Sequence, residues 1–133
     1  MASFPFNEAI EKIMIKLTSD LNANYQRFIE HSQETGRVWG LHSADGWVIV
    51  DSAEFEDSEV IPFWSEENYA SAHCVGEWEK FKPTPIELED FVENWLVGMD
   101  EDGTLVGPNW NADLEGLEIE PVEIAKQLGG TPE

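Results

Sequence analysis

The sequence predicts a single α+β domain over residues 1–133, a mainly antiparallel sheet of about three to five strands covered by amphipathic helices on one face, the other partly open. Three observations carry that prediction. A chain of 133 residues is the size of one domain, since domains commonly run about 100–150 residues. Its composition, 41% hydrophobic and 11% aromatic, lies far from the low-hydrophobicity regime of disordered chains. Its apolar residues recur at helical spacing in some stretches and cluster in short β-rich runs in others.

Between residue 6 and residue 32, Ile10, Ile13, Met14, Leu17, Leu21, Tyr25, Phe28 and Ile29 fall at helical intervals, which predicts one bent helix or two successive ones with a break near 18–24. Residues 37–42 and 47–51 are β-rich and joined by Ser43-Ala44-Asp45-Gly46, where glycine supplies the positive φ of a tight hairpin. Residues 53–58 form an acidic loop, and Val60-Ile61-Pro62-Phe63 reads as a strand kept to an edge or an end by its proline. Ser65 is placed to cap a helix with Glu66 and Glu67 in its first turn and Ala70, Cys74, Trp78 and Phe81 on one stripe.

Lys82-Pro83-Thr84-Pro85 interrupts the chain. Leu88, Phe91, Val92, Trp95, Leu96 and Met99 then form the cleanest amphipathic pattern. Its start is open: Thr84-Pro85-Ile86-Glu87 has the form of a capping box, whereas Ile86 lies off the stripe. Asp100-Glu101-Asp102-Gly103 reads as a turn, 104–106 and 117–119 as short strands, 121–128 as a final helix and 129–133 as a frayed end.

Twenty-eight acidic against seven basic residues give a formal charge of -21. Such a charge repels phosphates and anionic lipid, so nucleic acid and membrane surfaces are poor partners. Acidity serves solubility, or life in a salty milieu, before it serves recognition; its sharper meaning is attraction to a basic protein. The single cysteine rules out an intramolecular disulfide and fits a reducing compartment. Residues 1–5 lack the basic and apolar regions of a signal peptide, and no window approaches the roughly 20 apolar residues of a membrane span, so the expected location is cytoplasmic.

Chemistry is sparse. His73 beside Cys74 suggests an activated thiol, but adjacent helical residues diverge by about 100° and Cys74 lies on the apolar stripe, as a buried structural cysteine would. His31, His42 and His73 offer no zinc spacing and read as surface residues. The acidic turn fails as a calcium loop, because Gly98 and Asn109 fall where carboxylates are required. Phosphate-binding and nucleophile-elbow motifs are absent from the sequence. No catalytic residue, metal or cofactor is nominated.

Six tryptophans remain, each in a short local pattern. Trp78 and Trp95 lie on helical stripes and Trp39 within the hairpin, positions that belong to a core. Trp47, Trp64 and Trp110 stand at the ends of elements, where a ring can line a groove, and are the candidate binding residues.

Taken together, Val38-Trp39-Gly40-Leu41, Asp45-Gly46-Trp47, Pro62-Phe63-Trp64-Ser65, Ala70, Cys74, Trp78, Pro85-Ile86-Glu87-Leu88, Phe91, Trp95-Leu96 and Asp102-Gly103 resemble the small bacterial proteins of the domain of unknown function 2750 family. The resemblance spans about residues 25–106, leaving residues 109–133 as an acidic extension. It implies a small stand-alone cytoplasmic α+β domain from a bacterium and supplies no reaction, cofactor or catalytic residues. The functional expectation is a non-catalytic protein-interaction module, immunity- or inhibitor-like, that binds a basic protein through aromatic element ends and acidic surface. The alternative is a small enzyme or small-molecule binder with an aromatic pocket near Trp47, Trp64 and Trp110. Monomer and homodimer are not distinguished.

Overall fold

A computed structural model describes residues 17, 20–53, 55, 57–111 and 114–128. The first half of the expected N-terminal helix and the expected frayed end at 129–133 lie outside the described residues. Helix α1, Leu21–Thr35, starts within the expected break, because Asp20 caps it by accepting a hydrogen bond from the Ala23 N–H at 3.1 Å. It buries Asn24, Phe28, Ile29 and Ser32.

The expected hairpin forms from β1, Arg37–Ser43, and β2, Gly46–Trp47, with His42 opposite Trp47 and Gly46 at φ 119°. On its other edge β1 pairs antiparallel with β5, Lys82–Glu87. This corrects the expected interruption at 82–85 and the capping box at 84–87. Trp39 and Leu41 spend their main-chain bonds on Trp64 and Val48, away from β5, so Pro83 and Pro85 opposite them owe the ladder no N–H. The pattern of prolines that reads as a break is an edge strand in register.

A second sheet runs β3-β4-β6, with β3 at Val50–Asp51, β4 at Glu59–Phe63 and β6 at Leu105–Pro108. The β3–β4 pair is antiparallel and β4–β6 is parallel. A pair of main-chain bonds between Trp39 and Trp64, 2.7 and 2.8 Å, joins the two sheets. The expected strand at 117–119 is reduced to a single bridge between Ile119 and Val106.

Helix α2 is only Glu67–Ser71, followed by a 3₁₀ turn at Gly76–Trp78. The long helix expected from Ser65 to Phe81 is therefore not formed, and Ser65 makes no cap. Helix α3 is continuous through Leu88–Asp90, a π turn at Phe91–Trp95 and Leu96–Asp102, where the Leu96 N–H reaches back to the Phe91 carbonyl. Both Phe91 and Trp95 reach Phe63 edge-on, with centroids 4.8 and 5.6 Å away. Helix α4, Pro121–Gln127, is the expected final helix, with proline in its first turn.

The joined sheets lie between two cores. Along β4, Val60 belongs to one and Ile61 to the other; along β6, Leu105 and Val106 divide in the same way. Helices α1, α3 and α4 close the first core over Phe28, Phe63 and Phe91. The second, around Trp64, Tyr69 and Trp110, is closed by α2 and the segments that follow β4 and β6. The face expected to be partly open is thus covered. The domain is α+β and its sheets are mostly antiparallel, as expected.

Candidate functional site

Trp64 and Trp110 lie one and two residues beyond strands that pair in parallel, so the fold brings their rings into one cluster. Trp64 is 0% exposed and its Nε1–H donates to the Trp110 carbonyl at 2.9 Å. The Trp110 Nε1–H donates to the Leu117 carbonyl at 3.0 Å. Gly107 and Gly116 leave room for the second indole: a Cβ on Gly116 would stand 1.9 Å from Trp110 Cδ1. The little of Trp110 that remains accessible borders an open depression beside Leu21, Val50 and Leu114.

Trp47 lies in the other core. Its ring covers Gly40, lies tilted against His42 with centroids 4.6 Å apart and meets Trp95 edge-on at 4.8 Å. The three candidate indoles therefore divide into a buried pair and a separate, half-buried ring.

His73 is buried, which corrects its expected surface position: it is 7% exposed, its ring tilted against Trp64 with centroids 4.8 Å apart and 6.3 Å from that of Trp78. Burial holds its pKa below the ordinary histidine value, with a hydrogen bond to the Trp110 main chain pulling the other way. Cys74 is half-buried rather than buried, and burial raises its thiol pKa, the opposite of an activated thiolate.

A polar network that sequence reasoning missed links the second core to α1. Asn109, 0% exposed and at φ 48°, accepts the Ser65 N–H at 2.9 Å and donates to the Asn24 carbonyl at 3.3 Å and to Ser65 Oγ at 3.0 Å. Asparagine is among the few residues that tolerate this left-handed backbone, a signal present in Gly107-Pro108-Asn109. Ser65 Oγ also lies 3.3 Å from His31 Nδ1, a serine–histidine contact of the kind used in nucleophilic catalysis. Ser65 is only 1% exposed and already engaged by Asn109, so this pair is built as structure. Outside it, a cleft of about 230 Å³ is lined by Arg27, Glu30, His31, Glu34 and Glu66. Arg27 donates to the Tyr69 hydroxyl there and stacks over its ring. Burial raises the Tyr69 pKa against the pull of Arg27, which keeps the phenol protonated.

Two larger cavities lie elsewhere and are acidic. One of about 460 Å³ has Asp51, Asp57, Glu59 and Asp102 in its walls; the next, about 520 Å³, has Asp100, Glu118 and Glu120. They share Phe55, Ser58, Gly103 and Thr104. Through Asp100 and Pro121 the second continues into a groove of about 230 Å³ between α3 and α4. Among the described residues, no lysine, arginine or histidine lines any of the three. Among the described residues no three His, Cys, Asp or Glu converge as a metal site, and no helix is long and apolar enough to cross a membrane.

No curated protein and no solved structure matches the chain. A family model does, over residues 25–128, and so covers Trp110 and α4 as well as the region ending near 106 that carries the resemblance in sequence. The match takes in most of the chain, from α1 through the π turn and both cores to α4, and the chain belongs to the family described as Protein of unknown function (DUF2750).

Proposed function

We propose that the protein is a non-catalytic interaction module that binds a basic partner protein. The observation that supports this most is the contrast between its groups: Ser65 and His73 are buried and engaged inside the fold, whereas two large cavities are open, joined and lined by carboxylates, with no cationic side chain among the described residues of their walls. Carboxylates held at one surface steer a cationic partner and discriminate against an anionic one. An immunity or inhibitor role in the cytoplasm fits this size and charge by analogy.

The aromatic-pocket alternative is the weaker reading, because Trp64 is closed to solvent and Trp47 stands in a different core. The test is affinity capture with the tagged full chain, repeated at low and moderate salt. A defined basic protein retained at both is the expected result. Recovery of only assorted basic proteins, all lost as salt rises, counts against the reading.

A further inference from the structure

The acidic cavities are organised around one aromatic ring. Phe55 is 50% exposed and takes no part in either core, yet the loop that carries it is tied down from below. Glu118 accepts from the Ser52 hydroxyl and from the Ala53 N–H at 2.9 Å, and Ser52 Oγ accepts the Phe55 N–H at 2.8 Å. The main chain closes the loop with Ser52 N–H to Ser58 O at 2.9 Å. Half of the ring stays in contact with water, and the bonded loop fixes where that apolar surface stands.

A second apolar station lies along the same channel. Val97 on α3 and Val122 on α4, 51% and 48% exposed, flank the groove whose walls include Leu96 and Ala125 and whose acids are Asp100 and Glu101. The channel thus alternates an aromatic anchor, a band of carboxylates and an aliphatic groove.

Strand addition is not what this channel offers. β6 is bonded on one edge by β4 and on the other by Ile119, and β3 is two residues long. A second copy of the chain would bring the same carboxylates against themselves. A groove between two helices with acidic walls is complementary to an apolar helix face flanked by cations.

We propose that this channel docks a cationic amphipathic helix of the partner protein, its apolar face on Val97, Val122 and Phe55 and its lysines or arginines against the carboxylates between them. The proposal rests on the interaction reading above and adds where the partner sits and what it presents.

The test uses the full chain and two synthetic peptides matched in length and charge, one an amphipathic lysine–leucine helix and the other lysine–serine, titrated at about 50 mM and about 300 mM salt. The amphipathic peptide is expected to bind about tenfold tighter, and Phe55→Ser and Val97→Ser are each expected to remove most of that advantage while leaving the lysine–serine peptide unchanged. Both positions are exposed, so folding is not at stake. Equal binding of the two peptides, or indifference to both variants, overturns the docking site while salt-sensitive binding keeps the interaction reading. Failure of both peptides at low salt overturns the two together. Sedimentation that shows a dimer dispersed by Val97→Ser assigns the groove to a second copy and overturns the proposal.

Discussion

The two cores solve the same problem with different chemistry. The core over Phe28, Phe63 and Phe91 is apolar almost throughout, and its specificity is shape: three phenylalanines and Trp95 meet edge to face. The core around Trp64 and Trp110 is threaded by donors and acceptors, since each indole N–H reaches a carbonyl and the Asn109 amide binds three groups on Ser65 and Asn24. Shape tolerates a substitute of similar volume, whereas a buried network leaves orphans when one member goes. The lesson is that equal burial does not mean equal tolerance.

Truncation gives the largest effects. Phe91→Ala is expected to cost about 3–5 kcal/mol, and Trp64→Ala more, because the Trp110 carbonyl loses its indole donor as well as its packing. Denaturant unfolding of the two variants decides the matter; equal losses would mean that the hydrogen bond adds nothing. Replacement at near-constant volume separates the cores further. Met99→Leu should cost below about 1.5 kcal/mol, whereas Asn109→Leu should cost about 1–3 kcal/mol for each buried group left unpaired, among them the Ser65 N–H. Similar midpoints for the two variants would break the distinction.

Smaller effects come from single methyl groups. Gly107→Ala sets a Cβ 2.5 Å from Trp110 and should destabilise by about 1–3 kcal/mol. Gly98→Ala in α3 meets nothing within 4 Å and should stabilise by about 0.5–1 kcal/mol. Thermal melts read both signs. The smallest effect is the pH response of His73. Its folded pKa lies below the unfolded value of 6.5, so its contribution is intact above that pH and is lost as pH falls toward the folded pKa. Stability measured between about pH 5 and 7 should fall on acidification, and His73→Gln should flatten that slope.

Much of the first core was legible in the sequence and much of the second was not. Phe28 and Ile29, and Phe91, Leu96 and Met99, announce their buried faces through spacing along one helix. The stripe Ala70, Cys74, Trp78 and Phe81 has the same spacing but no continuous helix, because the chain turns after Ser71 and takes a positive φ at Gly76. β5 was hidden because its prolines are tolerable only once β1 is known to bond away from them. Trp64 outranks Trp78 and Trp95 in burial through a carbonyl 46 residues away, which no local pattern encodes, and Trp110 through Gly107, Gly116 and the Leu117 carbonyl, near in sequence but meaningless until the chain turns back on the ring. The acidity of residues 53–58 was visible, but its continuity with α3 and α4 arises only when β4 and β6 pair.

The prolines of β5 bear on what happens when the charge is gone. Near the sequence pI of about 4.1 the carboxylates lose the repulsion that keeps copies apart. A sheet edge is then the natural template for an incoming strand, and aggregation follows wherever its amides stand free. Along β5 the residues facing away from β1 include Pro83 and Pro85, which have no amide to give. This edge stays non-adhesive by covalent structure, at any pH.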